Sequence, residues 1–220
     1  YEHIEPAIVG NARHIVVSDQ SGRSNVLARL AEAGIAVAPD DRRIGRLVET
    51  VKEREFEGYS YDGAEASFEL LARRALGEVP DFYDTESFRV EVERRHNARG
   101  ELTTVSQAVI KVTVRGETTM QVAEGHGPVN ALDEALRKAL VPIYPELETL
   151  RLVDFKVRIL TPQQGTAAVT RVMIESADET GHRWGTVGIS ENIIDAAFGA
   201  LNDSLVYKLM RARAAKAAAE

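Results

Sequence analysis

The chain has 220 residues, 44% hydrophobic and 28% charged, a balance ordinary for globular material and enough for one large or two small domains. A net charge of −7 argues against a nucleic-acid partner, and the absence of cysteine excludes disulfides and thiolate metal sites. No apolar run is long enough to span a bilayer as a helix, so no membrane partner is expected, and the missing cysteines fit a cytoplasmic location.

The first residues, Tyr1-Glu2-His3-Ile4-Glu5-Pro6, are polar and lack an initiating methionine, which suggests a piece of a longer protein. Residues 14–18 read as a short strand followed by a turn. Ser24 can cap a helix that carries Val26, Leu27 and Leu30 on one face and stops at Gly34. Pro39-Asp40-Asp41 opens a second helix. Its apolar positions Ile44, Leu47, Val48 and Val51 follow the i, i+3, i+4, i+7 spacing of one helical face, and Gly58 ends it. A third helix is expected from about Asp62 to Leu76, with Phe68, Leu71 and Leu76 inward and Gly77 at its end. Residues 1–80 therefore read as a small, mainly helical region, closed by Val79-Pro80-Asp81, and the family resemblance given below implies that it is a linker.

Residues 81–220 form a second region, where alternation takes over. Phe88, Val90 and Val92 face one way in a strand, Asn97 to Gly100 turn the chain, and residues 109–114 and 118–123 give two more strands. A helix from Val129 to Leu140 buries Leu132, Leu136 and Leu140 and ends at Pro142. The pattern then repeats, with strands expected at residues 152–160, 166–175 and 183–189 and a last helix starting near Glu191. Shifted by 65 positions, residues 119–136 fall on residues 184–201, with Val122 on Val187, Ala131 on Ala196, Ala135 on Ala200 and Leu136 on Leu201. Gly116 falls on Gly181 in the turn before each last strand. The fold class is therefore α+β: a duplicated βββα unit with helices on one sheet face, preceded by the helical linker. The uncovered sheet face invites a second copy, so a homodimer is expected.

The five histidines form no H-x-H or H-x-x-x-H pair, so no metal site is expected in this chain. No nucleophile or paired-carboxylate pattern appears either. The two loops before the duplicated helices hold the candidate binding groups. Gly125 and Gly127 allow close backbone approach, Pro128 pre-sets the first helical turn, and free amide groups there suit a carboxylate. The matching loop offers Ser190 and Glu191, the latter able to receive an ammonium group. Together these suit a free amino acid. The alternative is a plain N-cap at Ser190 with Glu191 favouring the helix dipole.

Several stretches carry a family resemblance. Residues 1–6, Val9-Gly10-Asn11, residues 18–25 and residues 64–71 resemble the segment that follows the catalytic barrel in the citramalate synthase branch of the isopropylmalate/homocitrate synthase family. Residues 125–132, Val153-Asp154-Phe155 and residues 186–196 resemble that family's C-terminal regulatory domain. The resemblance covers nearly the whole chain.

It implies a condensation of acetyl-CoA with a 2-oxo acid, carried out in a TIM barrel with a divalent metal. Nothing here looks like that barrel, so metal and acetyl-CoA are implied for a catalytic part elsewhere, and this chain alone is expected to be inactive. Its implied partners are a second copy, its own N-terminal barrel and a small amino-acid effector that inhibits by feedback. That effector is isoleucine for citramalate synthases and leucine for isopropylmalate synthases. A dimerisation module without a ligand is the alternative.

Carried over by position, the effector pocket would take Val129 and Asn130 after the glycine turn and Leu152, Phe155 and Ile159 from the next strand. Thr166, Val169, Ile189 and Glu191 would complete it. Each of these apolar residues reads equally well as ordinary core. The spacing of Leu152, Phe155 and Ile159 departs from strict alternation and implies a bulge. Tyr1 matches a tyrosine that reaches the partner protomer's active site.

Overall fold

The structure, a computed structural model, describes residues 22–38 and 40–219. Tyr1 and the strand expected at residues 14–18 lie outside the described residues.

Three helices precede the duplicated units, in the region read from the sequence as the linker. Helix α1 (Arg23–Glu32) has Gly22 at its N-cap with no side-chain cap, so Ser24 sits inside the first turn and does not cap it, contrary to expectation. Gly34 adopts a positive φ of 68° and reverses the chain. Helix α2 (Arg42–Glu57) is capped by Asp41, whose carboxylate accepts the Arg43 N–H at 2.8 Å. The Arg43 side chain binds the same carboxylate and, with that N–H, holds it below its ordinary range. Helix α3 (Glu65–Leu76) begins later than the expected Asp62 and stops at Gly77, φ 74°. The helices share one core, in which Val26, Leu30, Ile44, Leu47, Val51 and Phe68 are buried.

The duplicated units follow. Strands β1 (Asp84–His96), β2 (Leu102–Val114) and β3 (Glu117–Gly125) form an antiparallel sheet in that order and lead into α4 (Pro128–Leu140). Strands β4 (Arg151–Ile159), β5 (Thr170–Ala177) and β6 (Arg183–Ser190) repeat it and lead into α5 (Ile193–Ala219). The units pair no strands with each other, so the sheet surface is two separate three-stranded sheets. Strand β5 starts at Thr170, because residues 162–167 coil into a 3-10 turn around Gly165. The paired turns are faithful copies, with φ 84° at Gly116 and 80° at Gly181. So are the bulges: the register slips between Thr85 and Ser87 in β1 and between Leu152 and Asp154 in β4. The second is the bulge implied by the spacing of Leu152, Phe155 and Ile159.

Each helix covers its own sheet. Ala108, Ile110 and Val112 of β2 pack with Leu132, Leu136 and Leu140 of α4. Val172 and Ile174 of β5 pack with Ala196, Ala200 and Leu201 of α5. The opposite face of the second sheet is closed by the linker, since Val187 of β6 belongs to the linker core. The duplication breaks here. Gly185 lets the Gly63 carbonyl approach so closely that a Cβ would stand 1.8 Å from it. The equivalent residue of the first sheet is Met120, which is exposed, as is Val122, the counterpart of the buried Val187. The linker therefore covers the outer face of the second sheet and leaves Met120 and Val122 of the first exposed. Among the described residues no helix is long and apolar enough to cross a membrane.

A buried cation ties α5 to the β5–β6 turn. Lys208, 5% exposed, donates to Glu179 at 2.8 Å and lies 3.6 Å from Asp178. The hydrogen bond from Lys208, helped by one from Thr149, pulls Glu179 down to about 2. For Asp178, burial pushes upward, but hydrogen bonds from Thr180 and the charge of Lys208 outweigh it and the net shift is downward. A carboxylate depressed in the folded state stabilises above its unfolded pKa and loses that contribution as pH falls. Stability should therefore fall as pH drops below the ordinary value of 4.5 toward about 2. Thermal melts across that range should show a shallower acid loss for Glu179→Gln. An unchanged slope would remove this pair from the acid response.

Candidate functional site

The site grows from the β3–α4 turn. Gly125 ends β3 where the first turn of α4 folds back over it. A Cβ there would lie 2.4 Å from the Ala131 nitrogen, so this packing requires a glycine. The His126 N–H donates to Asn130 Oδ1 at 3.0 Å, closing the turn with a side chain of the expected group. Gly127 is extended, with open space where a Cβ would project, and Pro128 follows in the first turn. The N-cap has no side-chain hydrogen bond and the first turn has no acidic residue. Its amide groups lack intrahelical acceptors and suit an anion.

Val129 brings the two units together. It packs against the cluster of Val172, Ile174, Ala196, Ala197, Ala200 and Leu201, and so does Phe155 of β4. The start of the first helix, the first strand of the second unit and α5 thus meet at one apolar group. The register places Leu152, Phe155, Val157 and Ile159 on the same face of β4, opposite the inward residues Ser176, Ile174, Val172 and Thr170. Helix α5 does not reach over this strand. Leu152, Val157 and Ile159 stay 43%, 44% and 58% exposed on the face that is elsewhere the core. Val157 was missed by sequence reasoning. Counting by two back from Ile159, once the bulge is placed at Val153, would have found it.

The other expected residues are placed differently. Thr166 is exposed in the 3-10 turn. Val169 closes the β4–β5 loop, its N–H donating to Thr161 Oγ1 and its carbonyl accepting from Leu160. Ile189 points to the opposite face of the sheet, toward Gly58 of the linker, so it is not brought to the Phe155 group. Glu191 is exposed just before α5. The cap of α5 is Asn192, whose side chain accepts the Ile194 N–H at 2.9 Å, while Ser190 Oγ accepts the Asn192 N–H. Beside Asn130 lies an open cleft of about 440 Å³ edged by Thr104, Glu124, His126 and Glu134, whose carboxylates favour a cation. Among the described residues no group of three or more His, Asp or Glu could hold a metal.

Two duplicated βββα units meet at one apolar group, with the start of α4 beside it. Residues 62–209 match the model of the LeuA allosteric (dimerisation) domain, and the chain belongs to that family. The match takes in α3 as well as both βββα units. The chain is 51% identical, over 95% of its length, to an (R)-citramalate synthase of Geobacter sulfurreducens. It is 47% identical over 96% of its length to one of Aquifex aeolicus. It is also 30% identical over 90% of its length to a probable 2-isopropylmalate synthase of Methanopyrus kandleri. It spans 39% of the length of each of the first two and 37% of the third.

Proposed function

We propose that this chain is the homodimerising allosteric domain of a citramalate synthase-like enzyme that condenses acetyl-CoA with a 2-oxo acid. In this reading it binds a branched-chain amino acid, isoleucine above leucine, as a feedback inhibitor. The observation that carries the reading is the half-open apolar face of β4, joined to Val129 and Phe155 on the shared cluster. A branched aliphatic side chain fits such a surface, and the α4 start beside it offers amides for a carboxylate. A second copy would seal the same face, since exposed aliphatic residues in register on an edge strand are an association surface. Isoleucine is favoured because the relatives at 40–51% identity are named (R)-citramalate synthases, whereas those named for 2-isopropylmalate are at 26–30%. Condensation, with its metal and acetyl-CoA, belongs to a catalytic part outside the described residues.

Thermal melts with isoleucine, leucine, valine and a non-branched control test the reading, because a ligand that binds only the folded state must raise the midpoint. A selective rise with isoleucine is expected. A leucine-selective rise would move the chain to the isopropylmalate branch, and a dimer indifferent to all would leave dimerisation alone. Phe155→Ala should weaken the effector by about 2 kcal/mol, roughly 30-fold, through lost packing. Unchanged affinity by calorimetry would remove Phe155 from the pocket.

A further inference from the structure

We propose that α5 relays effector occupancy from the apolar face of the second sheet to the linker helices, and that the Ser67 hydroxyl is the pin of that relay. The proposal rests on the effector reading above and adds the regulation of the same site.

Helix α5 has two sets of neighbours. Its early turns, with Ala196, Ala197, Ala200 and Leu201, form the cluster that holds Val129 and Phe155. Its middle is tied by side chains to the linker. Asp203 accepts the Ser67 hydroxyl at 2.8 Å and the Arg74 guanidinium at 2.9 Å. The Tyr207 hydroxyl donates to Glu69 at 3.2 Å, and Asn202 accepts the hydroxyl of Tyr83, just beyond the linker, at 2.9 Å. One rigid helix therefore touches the candidate effector group and the linker at once.

Ser67 is the junction. Strand β6 lies at the sheet edge, so alternate N–H groups have no strand partner. The Val187 N–H donates to Ser67 Oγ at 3.0 Å, while that hydroxyl donates onward to Asp203. The neighbouring Gly185 N–H donates to Glu65 of the same helix at 3.1 Å. One hydroxyl thus joins α3, β6 and α5. Ser67 is 3% exposed and Asp203 8%, so breaking either bond strands a buried polar group. The arrangement is held or lost as a unit, which is what a two-state coupling element requires.

The linker is closely seated at the pin and unsealed beside it. A cleft of about 450 Å³ separates Asp62 and Glu65 from Asp154, Lys156, Glu175 and Arg183 of the sheet. Lys156 pairs with Asp154 and Arg183 with Glu175, both within the sheet. Neither ion pair crosses to the linker, which meets this end of the sheet through the Gly185 N–H on Glu65 and the Gly63 carbonyl against Gly185. A ligand that fixes the early turns of α5 changes the position of Asp203 and, through Ser67, the seat of α3.

The test uses the full-length enzyme, with Ser67→Ala and Asp203→Asn compared to wild type. Isoleucine, leucine and valine serve as probes, binding is read by calorimetry and inhibition from turnover. Both variants are expected to keep basal turnover and to bind within about threefold of wild type. Half-inhibition should need at least about tenfold more effector, inside the usual range of allosteric coupling. Variants that bind and are inhibited like wild type overturn the relay, as do variants that lose binding together with inhibition. Absence of binding to wild type would instead overturn the effector reading, and the relay with it. Should Ser67→Ala fail to fold, Ser67→Cys decides, since it keeps a similar shape while its weak thiol donor loses the bond to Asp203.

Discussion

Trp184→Ala is expected to destabilise the chain by about 3–5 kcal/mol, the range for removing a large buried aromatic. Trp184 is the lone tryptophan and is 1% exposed. Its ring lies between His182, with centroids 5.8 Å apart, and Tyr207 of α5, at 5.6 Å. Its indole N–H donates to Ser204 Oγ at 3.1 Å, and Ser204 donates to Ser176 of β5 at 2.7 Å. Alanine leaves a cavity at the β6–α5 contact and breaks this buried chain at its source. Trp184→Phe keeps most of the packing and removes the donor, so a smaller loss of about 1–2 kcal/mol is expected. Denaturant unfolding followed by circular dichroism checks both, because neither variant retains the fluorophore. A loss under about 1 kcal/mol for alanine would show that the ring does not anchor α5.

Gly188→Val is the second large effect. Helix α5 crosses β6 in backbone contact, and a Cβ at Gly188 would stand 2.0 Å from the Ala196 carbonyl oxygen and 2.9 Å from the Ala200 nitrogen. Both are backbone atoms of the helix, so no side-chain rotation relieves the clash. Gly199 completes the close approach, its added Cβ falling 3.7 Å from the Gly188 Cα. The helix must move away from the sheet, at a cost of about 3 kcal/mol, the upper part of the range for overpacking. The same movement opens the cluster that seats Phe155, so effector affinity should fall with stability. Gly127→Ala is the contrast. That residue is extended and has open space at its Cβ, so stability should change by less than about 0.5 kcal/mol. Equal losses in the two variants would contradict the backbone contact.

Much of the fold was legible because it is local. Alternation along residues 88–92 and the helical spacing from Ile44 to Val51 are periods that any sheet or helix of this polarity must show. Gly34, Gly58, Gly77, Gly116 and Gly181 all take positive φ, a demand made by single turns and visible as glycine. The helix caps were less legible. Ser24 and Ser190 have good cap chemistry, yet Gly22 and Asn192 hold those positions, because packing decides where each helix begins.

The candidate site divides the same way. The grouping of Val129 with Phe155 was reachable from the duplication and the family resemblance. The exclusion of Ile189 was not, since alternation tells which residues share a face and not which face meets the linker.

By itself the sequence determined the element types, the duplicated βββα order, the bulge before Phe155 and the apolar identity of the β4 face. Tertiary structure alone decided that the sheets stay separate, that α5 leaves β4 uncovered, and that the linker docks on the second unit. Those outcomes depend on contacts between distant positions, such as Gly63 against Gly185 and Ser67 bridging Val187 and Asp203. No local period encodes such a contact. It forms only where two surfaces, each already folded, come close enough to exclude water and satisfy each other's polar groups.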